Sequence, residues 1–142
     1  MGWDSIIHEG HSELFNDFDL WTLRHFLMEE VKALEVEDAG TGTTQLREFF
    51  EKWEWLGPGV VTGTDFSDYV SGSRSRWNLL LVLLQRTGDR IAGFGEFIPL
   101  GYLTTHVDSG LGHYLGPSPT TRHLNDLSRM CKLLGKHEPQ EG

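Results

Sequence analysis

Trp77-Asn78-Leu79-Leu80-Leu81-Val82-Leu83-Leu84, followed by Gln85-Arg86-Thr87-Gly88-Asp89-Arg90-Ile91-Ala92-Gly93-Phe94-Gly95, admits two folds. As a buried strand, the apolar run would turn at Thr87-Gly88-Asp89 and return through Arg90 to Ile98, giving an α+β protein with a hairpin at 77–98. As a helix, the same residues must sort by a 3.6-residue period. At 100° per residue, Trp77, Leu80, Leu81, Leu84, Gly88, Ile91, Ala92 and Gly95 fall on one side, and Asn78, Gln85, Arg86, Asp89 and Arg90 on the other. A period of two separates nothing, so the spacing predicts a helix, even though Gly88 and Gly93 each cost about 1 kcal/mol relative to alanine.

Outward from this segment the same period recurs. Leu20, Leu23, Leu27, Val31 and Leu34 mark one stripe of a helix over Asn16–Glu35, flanked by Phe18, Trp21 and Met28. Asn16 or Asp17 can cap its start, and Asp17 and Asp19 suit the positive end of its dipole. A second helix runs from Thr44 to Trp55 on Leu46, Phe49, Phe50 and Trp53, ended by Gly57-Pro58-Gly59. Val60 to Gly72 is an irregular connection with a short strand at Val60-Val61-Thr62. Pro99 takes the first position of a short helix through Leu100, Tyr102, Leu103 and Val107, and the glycines of Asp108–Pro117 make a loop. Ser118 and Pro119 then start a last helix as cap and first residue, with Leu124, Leu127, Cys131 and Leu134 inward and Gly135 at its end. The expected architecture is mainly α, a bundle of about four to five helices in a single domain over 1–142, with 137–142 a frayed tail.

Composition sets the chemistry such a bundle can support. The chain is 38% apolar and 11% aromatic, enough to build a core at 142 residues. Cys131 is the lone cysteine, so no internal disulfide forms and a cytoplasmic location is expected. Met1-Gly2-Trp3-Asp4 has neither the basic nor the apolar region of a signal peptide, and Leu79–Leu84 is far shorter than the ~20 residues of a membrane span. The net charge of −9 divides unevenly, −11 up to Asp68 and +2 from Tyr69 onward. A negative field of that kind attracts basic partners and repels nucleic acid, membrane phosphates and acidic substrates.

Motifs for catalysis or cofactors are missing. His8-Glu9-Gly10-His11 places its histidines three apart in a glycine-containing segment, whereas the zinc-protease pattern needs four on one helical face. Neither a phosphate-binding loop nor a nucleophile elbow occurs, and Cys131 sits on an apolar stripe as a small hydrophobe. The expectation is therefore no catalytic residue, no metal and no cofactor. An alternative enzyme or metal-binding reading would rest on His106, Asp108 and His113 around the flexible loop.

Contact with a partner is expected from the acids Glu29, Glu30, Glu35, Glu37 and Asp38, and from Glu48, Glu51 and Glu54 beside Trp55, which falls off the buried stripe. An aromatic anchor within a charged rim is how protein interfaces are built. With its size, acidic surface, interspersed tryptophans, and the segments Phe94-Gly95-Glu96-Phe97-Ile98-Pro99-Leu100 and Ser118-Pro119-Thr120-Thr121, the chain resembles the immunity proteins of bacterial polymorphic-toxin and contact-dependent growth inhibition systems. The resemblance implies a cognate toxin with a basic surface, often a nuclease, whose active site is blocked by carboxylates that stand in for nucleic-acid phosphates. A helical scaffold or regulator meeting another basic protein fits the same residues.

Overall fold

The computed structural model describes residues 3–38, 40–52, 63–108 and 110–140. The 77–95 segment is helical, in α4 (Arg74–Ala92), which excludes the hairpin at 77–98. Ser73 caps α4, its Oγ accepting from the Arg76 N–H at 3.3 Å. Trp77, Leu80, Leu84 and Ile91 are buried as the period requires, joined by Leu83 and Thr87. Because Thr87 donates from Oγ1 to the Leu83 carbonyl at 2.7 Å, a polar side chain is buried there without leaving its hydroxyl unsatisfied.

Helix α1 (Asp17–Glu37) starts where the cap residue predicts, with Asn16 Oδ1 accepting from the backbone N–H groups of Phe18 and Asp19. Its whole predicted stripe, Leu20, Leu23, Leu27, Val31 and Leu34, is buried. Helix α2 (Thr41–Glu51) begins three residues earlier than expected and packs on α1. The tryptophans at 53 and 55, Glu54 and the expected strand at 60–62 lie outside the described residues.

Two strands that helical periodicity does not announce open the chain. β1 (Trp3–His8) and β2 (His11–Asn16) form an antiparallel hairpin in which His8 pairs with His11. Glu9 and Gly10 close it with φ of 47° and 80°, the left-handed pair that matches the twist of flanking strands. β3 (Gly63–Asp65) lies parallel to β1 on its other side, so the sheet order is β2-β1-β3. One face of the hairpin turns Ile6, His8 and Phe15 into the core, while Trp3 and Leu14 remain more than half exposed on the other. The result is a mostly helical protein with some β structure.

After β3 come a single turn, α3 (Ser67–Val70), then α4, and a two-residue strand β4 (Phe97–Ile98). Pro99 is the cap of α5 (Leu100–Tyr102) rather than its first residue, so the helix starts one residue later than predicted, and α5 continues into a π-helical turn over Leu103–Val107. Ser118 and Pro119 do not start the last helix; they form β5, paired with β4, and α6 (Thr120–Gly135) follows. Instead of capping, Ser118 Oγ meets His123 Nε2 at 2.7 Å. The buried stripe of α6 is correspondingly rotated, with His123, Leu127, Met130, Leu133 and Leu134 inside and Leu124 and Cys131 only half-buried. α6 packs against α4 and against the inner face of β1 and β2. Beyond α6, His137 accepts a hydrogen bond from His8 Nε2 at 3.0 Å and Arg74 Nη1 donates to the Pro139 carbonyl at 3.2 Å, contacts within the stretch expected to fray.

Candidate functional site: an acidic corner and two clefts

The C-terminal end of α1 gathers most of the acids expected to make contact. Glu35, Glu37 and Asp38 sit at the negative end of the helix dipole, and no basic residue occupies the last turn of α1. Taken alone that arrangement is unfavourable. Arginines from neighbouring helices answer it. Arg47 of α2 donates from Nε to Glu35 Oε1 at 2.7 Å and also bonds Glu51, so Glu35 and Glu51 share one cation. Arg86 of α4 bridges Glu37 at 2.7 Å and reaches Glu30 at 3.3 Å, while Arg90 meets Glu30 at 2.7 Å. The hydrogen bonds from Arg86 hold the Glu37 carboxyl below its ordinary pKa.

These pairings sort the predicted contact residues. Glu30 is 5% exposed and belongs to the packing between α1 and α4 rather than to the surface. Glu35, Glu37 and Glu51 are surface members of ion pairs. Asp38 and Glu48 are exposed, and Asp38 contributes its carbonyl to Thr43 Oγ1 at 2.8 Å. Glu29 lies about two turns before Glu37 on α1, with its carboxylate 4.0 Å from His25 Nε2. Helix packing thus brings Glu35, Glu37, Asp38, Glu48 and Glu51 to one corner, and leaves Glu29 out of it. Glu54 and Trp55 are outside the described residues.

Around the 108–117 loop only two of the three expected partners meet. Asp108, 1% exposed, accepts from the His113 backbone N–H at 2.9 Å and from His113 Nδ1 at 2.5 Å. Burial pushes the Asp108 carboxyl up, but the hydrogen bonds from His113 and the Gly112 backbone outweigh it and hold the pKa below its ordinary value. His106 lies elsewhere, against the Tyr102 ring at 4.7 Å. Among the described residues, no group of three or more His, Cys, Asp or Glu is placed to hold a metal ion.

His113 lines a cleft of about 240 Å³ with Phe18, Asp19, Tyr114 and Arg122. Its floor is polar and closed by internal partners. Thr22 and Tyr114 share a hydroxyl–hydroxyl bond, and burial raises the Tyr114 pKa to about 12. Burial lowers His123 to about 4, so the ring beside Ser118 is neutral at pH 7. Asp126, one turn along α6, is raised to about 6 by burial and by the charge of Asp19.

The second cleft, about 290 Å³, is lined by Trp21, Arg24, His25, Met28, Glu29 and Lys32 of α1 and by His106 and Val107 of the π-helical turn. Of its α1 members, the sequence reading singles out Trp21 and Met28 beside the buried stripe and Glu29 among the contact acids, but not Arg24, His25 or Lys32. Positions 21, 24, 25, 28 and 32 follow helical spacing, so the basic members of the stripe were legible there; the approach of residue 106 was not. No helix among the described residues is long and apolar enough to cross a membrane. No family model, curated protein or solved structure matches the chain.

Proposed function

We infer that the protein is a non-catalytic binding protein that meets a basic partner through the acidic corner, and that this partner is a toxin for which the chain provides immunity. The observation that carries the reading is the crowding of Glu35, Glu37 and Asp38 at the negative end of α1. A fold under selection for stability alone places bases there. Arg47, Arg86 and Arg90 pair with Glu35, Glu51, Glu37 and the buried Glu30, while Asp38 and Glu48 stand exposed outside those pairs, so the acids of the corner outnumber its arginines. The arginines fix the carboxylates in place, and a corner held rigid loses less side-chain entropy when a basic surface docks. Long-range attraction of this kind raises the association rate and fades with salt.

Asp38→Lys combined with Glu48→Lys tests the reading, because both side chains are exposed and neither belongs to the core. The partner to test is the C-terminal domain of a large secreted protein, should one be encoded beside this gene; the lack of such a neighbour would count against the assignment. Co-expression of the parent chain should protect cells from that domain. The double variant should fold normally, bind about ten-fold more slowly at low salt, and protect poorly. Full protection by the double variant, or association rates insensitive to salt, would overturn the assignment.

A further inference from the structure

The three-stranded sheet leaves β2 at its edge, and among the described residues no strand pairs with its outer side. In the two-residue hairpin His8 and His11 face each other as a hydrogen-bonded pair, and from there the antiparallel ladder alternates. His11, Glu13 and Phe15 therefore point their backbone groups at β1, while Ser12, Leu14 and the Asn16 N–H point away from the sheet. One contact agrees with that assignment: the Leu14 carbonyl accepts from Arg129 Nη2 at 2.7 Å. Natural edges are commonly blunted by lysine, proline or a bulge. The β2 strand, His11-Ser12-Glu13-Leu14-Phe15-Asn16, has none of these, and its single acid is paired, Glu13 Oε1 accepting from Arg129 Nη2 at 3.2 Å. Arg129 lies on the inner face, its guanidinium 4.2 Å from the centre of the Phe15 ring. On the outer face Leu14 is 58% exposed and Trp3 56%.

We propose that this edge is a self-association surface, on which a second copy of the chain adds its own β2 antiparallel about a two-fold axis through Leu14. Centred there, the Leu14 N–H of each copy donates to the Leu14 carbonyl of the other, and each Asn16 N–H donates to the second copy's Ser12 carbonyl. The side chains select this register over one centred on Glu13. About Glu13, the two Glu13 carboxylates would face each other, and like charges directly opposite are destabilising. About Leu14, each Glu13 lies opposite the second copy's Phe15, whose ring carries the Arg129 guanidinium, so each carboxylate meets a cation. On the outer face the two Leu14 side chains meet across the axis, with Trp3 diagonal to each. Arg129 gives up its bond to the Leu14 carbonyl and keeps its place over Phe15. A two-fold pairing closes on itself, so assembly stops at the dimer. Each copy carries a net charge of −9, so repulsion opposes the pairing and added salt strengthens it, the reverse of the salt response of the acidic corner.

Sedimentation equilibrium of the full chain tests this. The expected result is a reversible dimer, twice the 16.1 kDa of one chain, whose association constant rises several-fold between about 0.05 and about 0.5 M sodium chloride. Leu14→Lys, at an exposed position, should lower that constant by about ten-fold or more while the melting temperature stays near that of the parent. Asp38→Lys combined with Glu48→Lys should not weaken the dimer, which separates this surface from the acidic corner. In a Cys131→Ser background, Leu14→Cys should give a disulfide-linked dimer on mild oxidation, whereas Val36→Cys, at a more exposed position, should not. A chain that stays monomeric up to about 1 mM at both salt concentrations would overturn the proposal. So would a dimer that Leu14→Lys leaves intact, or one that cross-links no better through position 14 than through position 36.

Discussion

Two buried titratable groups on α6, His123 and Asp126, pull stability in opposite directions with pH. His123 is fully buried and neutral, with a folded pKa of about 4 set by burial. Above the unfolded value of about 6.5 neither state binds a proton there, and its contribution to stability is complete. As pH falls from about 6.5 to 4, only the unfolded chain protonates, which costs the fold of order 3 kcal/mol. Asp126, 6% exposed, has its folded pKa raised to about 6. The folded state then binds the proton first, so acid stabilises it between about 6 and the ordinary 3.8, again by about 3 kcal/mol. The two effects largely cancel over that window. Asp126→Asn removes one of them, so its denaturant midpoint should fall steeply as pH drops from 6.5 to 4.5, where the parent chain changes little. Parallel pH profiles for the two proteins would show that the pair does not offset.

At the scale of the element, α4 holds a glycine that the fold does not need. Gly88 lies in mid-helix with φ in the helical range, facing α6. A Cβ built there meets Leu127 Cδ1 at 3.7 Å and Leu124 Cδ2 at 3.8 Å, ordinary van der Waals distances. Gly88→Ala should therefore stabilise the protein by about 1 kcal/mol, through helix propensity and reduced freedom of the unfolded chain, read as a raised melting temperature. Gly10 is the opposite case. Its φ of 80° closes the hairpin, so Gly10→Ala has open space for the methyl but a strained backbone, even though nothing lies within 4 Å of the added atom. The same contrast explains which elements were legible. α1 and α4 carry long apolar stripes at the helical period, and both were found. The β1–β2 hairpin went unannounced because Trp3, Ser5 and Ile7 alternate only loosely with Asp4, Ile6 and His8, and the polar His8 points inward.

At the scale of the whole molecule, the two ends of the chain meet. His8 on β1 is fully buried and donates from Nε2 to the His137 carbonyl, and Pro139 is buried against Arg74 at the start of α4, where Arg74 also pairs with Glu138. Deleting residues 137–142 removes the acceptor of a buried imidazole and should cost roughly 2 kcal/mol, measured by denaturation at pH 7. An unchanged midpoint would mean that the tail contributes nothing to holding the hairpin on α4 and α6.

What the sequence determined by itself is the set of features with local causes: the Asn16 cap, the inward stripes of α1 and α4, and the acidic charge of the first half. Each follows from neighbours within one or two helical turns. Only the tertiary structure decided how that charge is used, because Arg47, Arg86 and Arg90 reach the α1 carboxylates from other helices, across separations of 12 to 60 residues. Glu30 became a buried partner and Asp38 and Glu48 remained at the surface for that reason. His106 left the loop residues Asp108 and His113 and joined Arg24 and His25, because a π-helical turn redirects the chain before the loop begins. Interhelical contacts depend on packing angles and chain path, which leave no fixed period in a single sequence.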